Sequence, residues 1–436
     1  MLKRKMLAYL RSWRQEKREE CLLIKGARQV GKSYIVDQFG RTDYENYVAL
    51  DFIRQPELKD IFASSLSAED VYRQISLLVP GARFVEGKTL VFLDEIQECP
   101  EARAALKYLA QDDRCDVIAS GSLLGISYRE AAGVASIPVG YERTVTMRPL
   151  DFEEYLWARG YTQEATDSLR GYFEDLLPVP SAVNESMMAL YREYLAVGGM
   201  PAVVESFVSA QNFADAHAAQ EMLLSSYLDD IAKYATPTDR VKARACFTSL
   251  PRQLAKENTK FQYSKVEHRG TARKFDASID WLDGANMTLR CRAVSTPSFP
   301  LAAYEDEAKF RLYANDTGLL LAMYGFEMKS AVVGNSLKGP MKGGLYENLV
   351  ACALASNGHD LRYWISSSGN REIEFLFDGP NATVVPVEVK SSRGSTVSLN
   401  ELLARDDVER GYKLIDGNVG VDGKKITLPL YMGMYI

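Results

Sequence analysis

One eight-residue run constrains this chain more than any other: Gly26-Ala27-Arg28-Gln29-Val30-Gly31-Lys32-Ser33. It fits the phosphate-binding P-loop pattern at every fixed position. The pattern has a mechanism. A glycine-rich turn curls its backbone N–H groups around phosphates, and the following helix points its N-terminus at them. Lys32 would reach the β- and γ-phosphates, and the Ser33 hydroxyl would ligate Mg²⁺. The flanks agree. Cys21-Leu22-Leu23-Ile24 is an apolar strand candidate, and Ser33 to Phe39 can form a helix that Gly40 would end. A glycine-rich turn without nucleotide is the bland alternative.

A P-loop alone gives binding. Hydrolysis also needs a metal-facing carboxylate and a group that activates water. Thr89-Leu90-Val91-Phe92-Leu93-Asp94-Glu95 offers both. Its four consecutive apolar residues read as a strand buried on both faces. Asp94 at the carboxyl end would hold Mg²⁺ through its water shell, and Glu95 would orient or deprotonate the attacking water. Open parallel sheets place ligands at the carboxyl ends of strands, which would bring this pair beside the P-loop. Capping of the next helix is the alternative role. Asn46–Phe52 reads as another strand of the same sheet. Asp116-Val117-Ile118-Ala119 reads as a third and runs into Ser120-Gly121-Ser122. A hydroxyl of Ser120 or Ser122 could sense the γ-phosphate; a simple Ser-Gly turn explains the same residues.

A chain of 436 residues predicts roughly two to four domains. Net charge is −6, so any nucleic-acid site must be a local patch. No apolar run approaches the roughly 20 residues that cross a bilayer. The basic N-terminus interrupts its apolar residues too often for a signal peptide; Leu2, Met6, Leu7, Leu10 and Trp13 fall on one helical face instead. Cys21, Cys99, Cys115, Cys246, Cys291 and Cys352 are scattered, which reads as reduced thiols in a cytoplasmic protein. His217, His268 and His359 are far apart in sequence, which argues against zinc sites and histidine acid–base chemistry.

Taken in order, these motifs resemble a known family. Gly26–Ser33, Leu93-Asp94-Glu95-Ile96-Gln97, Ser120-Gly121-Ser122 and Arg148-Pro149-Leu150-Asp151-Phe152-Glu153-Glu154-Tyr155 are similar to the prokaryotic AAA-superfamily ATPases near the STAND and archaeal-ATPase groups. Tyr194–Pro201 and Tyr227–Ile231 resemble the middle region of those proteins, so the likeness spans nearly the whole chain. It implies ATP and Mg²⁺ as cofactors and a C-terminal domain of unknown function with a nuclease-like fold. One departure concerns an arginine. The family pattern often has a Gly-Arg pair shortly before Pro-Leu-x-Phe, whereas this chain reads Gly140-Tyr141 with Arg143 two residues later. Arg143 is the candidate to complete an ATP site, in cis or from a neighbour in a homo-oligomer. A salt-bridged arginine is the alternative.

From Thr162 to Tyr234 the periodicity is helical, with Leu169, Tyr172, Phe173 and Leu176 and then Leu190, Tyr194 and Leu195 as stripes. Gly198-Gly199-Met200-Pro201 breaks it as a turn. The segment Arg252–Lys274 holds seven cations (Arg252, Lys256, Lys260, Lys265, Arg269, Arg273 and Lys274) against Glu257 and Glu267, a local balance of +5. Phe261-Gln262-Tyr263, a short helix, Gly270-Thr271 and a second helix to Leu282 resemble a winged helix-turn-helix, with Leu289–Val294 leading into the wing. DNA is the candidate partner of this region. A basic face packed on an acidic domain is the alternative.

Gly334–Gly344 reads as a linker. Beyond it, Leu345, Leu349, Val350 and Leu354 make a helix stripe with Glu347 near its start. Glu372–Phe377 sets Ile373, Phe375 and Phe377 on one strand face and Glu372 and Glu374 on the other. After a turn at Asp378–Asn381, Val384–Lys390 places Glu388 and Lys390 together. A helix Glu, a strand carboxylate and Glu-x-Lys resemble the restriction-endonuclease-like core. There the carboxylates hold Mg²⁺ and the lysine stabilises hydroxide or phosphate. Glu374 stands where Asp is usual, and Mg²⁺ tolerates geometry errors poorly, so a nuclease-like scaffold kept for contacts is the alternative.

The expected architecture is therefore α/β: a P-loop NTPase parallel-sheet domain at 1–160, a helical lid or linker at 161–235, a winged-helix-like domain at 236–335 and a small restriction-endonuclease-like α/β domain at 336–436. The expected activity is a Mg²⁺-dependent ATPase that couples nucleotide state to DNA or a partner. An ATP-gated nuclease and a slow-turnover nucleotide switch are the rival readings.

Overall fold

The computed structural model describes residues 2–16, 19–112, 114–121, 140–234, 237–255, 260–366, 368–390 and 396–436; Ser122 and Lys256 lie outside the described residues. The chain divides into two compact units. One comprises Lys3–Arg148 with Gly284–Asn286, and the other Pro149–Asp283 with Met287–Ile436.

Five parallel strands organise the first unit: β1 (Cys21–Lys25), β2 (Asn46–Asp51), β3 (Thr89–Asp94), β4 (Asp116–Gly121) and β5 (Glu142–Thr146), in the order β2-β3-β4-β1-β5. Every residue of β3 is buried, as a central strand with both faces covered requires. Alternation along β1 sends Cys21 and Leu23 into a core with Val71, Tyr72 and Ile75 of helix Ala68–Leu78 and with Leu106 and Leu109 of helix Pro100–Asp112. Four of the strands coincide with the apolar runs. The fifth has no such run: Glu142-Arg143-Thr144-Val145-Thr146 lies at the sheet edge and is held by its pairing with β1. The helix after the P-loop does not stop at Gly40 but continues to Asp43. Gly40 serves close packing instead, since a Cβ there would stand 2.2 Å from the Tyr47 ring.

The second unit begins with helices Phe152–Ala158, Gln163–Glu174, Ser181–Val197, Pro201–Ala210 and Phe213–Tyr234. Gly198–Pro201 forms the expected turn. Asp316 fixes it: the carboxylate accepts Gly199 N–H at 2.6 Å and caps helix Thr317–Tyr324 through Leu319 N–H at 2.8 Å. Helices Pro237–Thr248, Leu250–Leu254, Tyr263–Val266 and Ala272–Gly284 lead into a mixed sheet. Its strands are β6 (Thr288–Val294), β7 (Glu305–Ala314), β8 (Arg362–Ile365), β9 (Glu372–Asp378), β10 (Val384–Lys390), β11 (Gly411–Ile415), β12 (Gly420–Asp422) and β13 (Lys425–Pro429). They are ordered β12-β13-β11-β10-β9-β8-β6-β7. Antiparallel β6 and β7 form a pair, and Phe261 N–H donates to the Phe310 carbonyl of β7 at 2.8 Å. β6 also runs parallel to β8, so strands from both sides of residue 335 share one sheet. Gly334–Gly344 is not open linker throughout. Helix Pro340–Ser356 starts within it, with Pro340 in the first turn, where its missing N–H is no loss. Among the described residues, no helix is long and apolar enough to cross a membrane.

Candidate functional site

β1 ends at Lys25 and delivers the chain directly into the P-loop. Backbone contacts hold the loop on two sides. Met147 N–H donates to the Lys25 carbonyl at 2.7 Å, and a Cβ on Gly26 would stand 2.2 Å from the Met147 carbonyl oxygen. The guanidinium of Arg4 donates to the Val30 carbonyl at 3.0 Å and to the Arg148 carbonyl at 2.7 Å. Gln29 (φ 63°) and Gly31 (φ 95°) adopt the left-handed backbone that a tight anion-cradling loop uses. Lys32 opens the helix and is 6% exposed; its ammonium donates to the carbonyls of Gly26 at 3.1 Å and Ala27 at 2.9 Å. Ser33 is exposed on the same first turn.

The acidic pair lies at the end of β3. Asp94 is buried, and its Oδ1 accepts Glu95 N–H at 3.1 Å and the hydroxyl of Ser120, itself buried on β4. Glu95 takes a left-handed backbone (φ 55°), and its carboxylate accepts from the Gln97 amide. Burial pushes the Glu95 carboxyl above the ordinary glutamate range. The Gln97 hydrogen bond and the positive charges of Lys32 and Arg28 oppose that rise, while the Asp94 charge adds to it. Lys32, Asp94, Glu95 and Ser120 are thus gathered at the carboxyl ends of β1, β3 and β4. Arg143 is not brought there. It pairs in register with Leu22, about 10 Å before the end of β1 at ordinary strand rise. Its guanidinium is held by Glu16 at 2.8 Å and Glu20 at 2.5 Å.

The second unit assembles the four residues expected of a nuclease-type centre. Glu347 comes from helix Pro340–Ser356, Glu374 from β9, and Glu388 and Lys390 from β10. Lys390 Nζ lies 2.7 Å from Glu374 Oε1 and 3.6 Å from Glu388 Oε1. Sequence reasoning missed two further members. Arg311 of β7, 1% exposed, pairs with Glu347 at 3.6 Å and with Glu372, and stacks 4.3 Å over the Tyr363 ring. The Tyr313 hydroxyl donates to Glu347 at 3.3 Å. A signal was present: Arg311 is the lone charge in Phe310-Arg311-Leu312-Tyr313-Ala314, and a charge buried in an apolar strand needs a partner. Burial raises the Glu347 carboxyl, against the lowering by Arg311 and Lys390. Among the described residues, no group of three or more His, Cys, Asp or Glu side chains is placed to hold a metal ion. Ion pairs to Lys390 and Arg311 tie up the carboxylates instead.

Glu388 is 1% exposed, and its Oε2 is buried with no hydrogen-bond donor among the described residues. Burial pushes its carboxyl up to about 7, against the opposing charge of Lys390. The folded chain therefore holds this proton more tightly than the unfolded chain. The stability it contributes is complete below the ordinary value of 4.5 and is lost as pH rises through about 7. Glu388→Gln removes that dependence. In urea unfolding between pH 5 and 8, the variant should gain on wild type as pH rises, and parallel curves would contradict this.

In the basic segment, Lys274 pairs with Glu267 at 2.6 Å. Lys265, Arg269 and Arg273 are exposed and make no ion pair among the described residues.

A five-stranded parallel sheet, a P-loop after β1 and an acidic pair after β3 define a P-loop NTPase α/β domain. Residues 18–156 match the family model described as AAA domain. Residues 188–330 and 342–432 match two families described as domains of unknown function, DUF8612 and DUF4143. No curated protein matches the chain. Among solved structures, the Walker-type ATPase PABY2304 of Pyrococcus abyssi is 13% identical, with 74% of this chain and 96% of that one covered at a TM-score of 0.45. The ORC2 protein of Aeropyrum pernix is 13% identical over 76% and 93% of the two chains, at 0.34. A STAND protein with a tetratricopeptide repeat sensor, PH0952 of Pyrococcus horikoshii, is 12% identical over 82% and 45%, at 0.27. Likenesses this loose specify neither activity nor partner.

Proposed function

We propose that this protein is a Mg²⁺-dependent ATPase whose nucleotide state is coupled to DNA or another partner through the second unit. The observation that carries the reading is the gathering of Lys32, Asp94 and Glu95 at the carboxyl ends of two strands of one parallel sheet. The backbone of Gly26–Gly31 and the helix N-terminus bind the phosphates, and Lys32 exchanges its loop carbonyls for phosphate oxygens. Glu95, its carboxylate held by Gln97, orients or deprotonates the attacking water. The fold class implies Mg²⁺, and the donors fit. Ser33 and Asp94 are hard oxygen ligands, and this ion asks for only one or two from protein when phosphates and water supply the rest. When bound, it would neutralise charge on the phosphates. Steady-state phosphate release decides the matter: Lys32→Ala should reduce it to background, and equal rates in variant and wild type would end the proposal.

Coupling to DNA draws on Lys265, Arg269 and Arg273, with helix Tyr263–Val266, helix Ala272–Gly284 and the β6–β7 pair in winged-helix order. Replacing all three cations by alanine should weaken duplex binding and flatten the plot of log affinity against log salt by up to about 3 × 0.9. Unchanged affinity and slope would assign this face to another partner. The rival reading, ATP-gated DNA cleavage, has the convergence of Glu347, Glu374, Glu388 and Lys390 in its favour. Plasmid nicking with Mg²⁺ or Mn²⁺ that disappears in Lys390→Ala would support it, and nicking that persists would retire it.

A further inference from the structure

We infer that Ser120 is a positioning residue for the metal-facing carboxylate of Asp94, rather than a sensor of the γ-phosphate. The inference rests on the ATPase reading above and deepens it. β4 stands between the P-loop strand and the acidic strand: Ser120 pairs in register with Ile24 of β1, and its neighbour Ala119 pairs with Leu93 of β3. A side chain on this part of β4 therefore lies between the acidic end of β3 and the P-loop strand. Ser120 is fully buried, and its hydroxyl donates to Asp94 Oδ1.

A serine hydroxyl has one proton to give. Given to Asp94, it is not available to a phosphate oxygen, which is the bond a sensor must make. The receiving oxygen is informative too. Oδ1 accepts both the Ser120 hydroxyl and Glu95 N–H at 3.1 Å, while Oδ2 has no hydrogen-bond donor among the described residues. Two donors on one oxygen fix the carboxylate plane and leave the other oxygen to face the metal or its water shell. Partners of this kind hold a metal ligand in its binding direction, and losing one typically costs about 10–100-fold in metal affinity.

ADP separates the two roles, because it binds Mg²⁺ but has no γ-phosphate. Binding of a fluorescent ADP analogue to the full chain is measured in EDTA and across a Mg²⁺ titration, alongside ATP turnover at each Mg²⁺ concentration. Ser120→Ala should bind the analogue in EDTA within about twofold of wild type, need about tenfold more Mg²⁺ for half-saturation, and recover turnover as Mg²⁺ is raised. Ser120→Thr, which keeps the hydroxyl, should restore the wild-type requirement. Ser120→Cys, close in size with a weaker donor, should fall between and guards against a packing defect in the alanine variant. The inference is overturned if Ser120→Ala matches wild type with ADP at every Mg²⁺ concentration yet loses ATP turnover, which is the behaviour of a sensor. Equal loss with and without Mg²⁺, or no rescue by threonine, overturns it as well. If wild type binds no nucleotide, the ATPase reading itself falls, and that result is distinct from all of these.

Discussion

Glu95→Gln should lower steady-state ATP turnover by about two to four orders of magnitude while nucleotide binding survives, the range that general acid–base groups supply. The reasoning starts from the backbone. Glu95 follows directly on β3 in a left-handed conformation (φ 55°), and Gln97 takes hold of its carboxylate. Glutamine keeps the size and one acceptor oxygen, so the loop should retain its shape and Lys32 its place. What disappears is the negative charge that orients or deprotonates water. Burial raises this carboxyl, and the Gln97 hydrogen bond and the Lys32 and Arg28 charges oppose the rise. Phosphate release and equilibrium ATP binding, measured on the same preparation, check both halves of the claim. A loss below tenfold would remove Glu95 from the water-activating role. Loss of binding together with turnover would assign it to nucleotide affinity.

Arg311→Ala should destabilise the second unit by about 3–5 kcal/mol, the usual cost of removing one partner of a buried ion pair. The guanidinium is 1% exposed and faces both Glu347 and Glu372. Its removal leaves those carboxylates without their cation. Glu347 already sits above its ordinary range because burial outweighs its cationic neighbours, and losing Arg311 moves it higher. The neutral form then predominates to higher pH in the folded chain, so the destabilisation should shrink as pH falls toward 5. Urea unfolding at pH 5 and 8, with nucleotide binding by the first unit as an internal control, tests the prediction. Adding Glu347→Gln to Arg311→Ala should recover part of the loss at pH 8. A cost below 1 kcal/mol at both pH values would show that the pair is worth no more than an exposed one.

The sequence disclosed what is local and periodic. The P-loop has fixed spacing, and the acidic pair ends a continuous apolar run, so both could be placed on strands before any fold was known. What it concealed depends on pairing between distant segments. β5 has no hydrophobic signature because an edge strand needs little, and its register with β1 carries Arg143 away from the P-loop although the motif order suggests proximity. Gly40 reads as a helix stop because composition cannot distinguish a terminator from a point of close packing. The Ser-Gly-Ser signal pointed to a hydroxyl near the site, but only the adjacency of β4 to β3 directs Ser120 at Asp94. Strand alternation and motif order single out Glu347, Glu374, Glu388 and Lys390. Arg311 falls within 236–335, which the sequence assigns to a separate winged-helix-like domain, so nothing local joins it to Glu347.

The pairing of β6 with β8 has a practical consequence for dissecting the molecule. A chain cut at residue 335 would leave one fragment with the long edge of β6 exposed and ready to join foreign strands. It would also carry Arg311 away from Glu347 and Glu372. Neither fragment would be a faithful part, so the basic helices and the carboxylate cluster must be studied together, by substitution rather than by truncation.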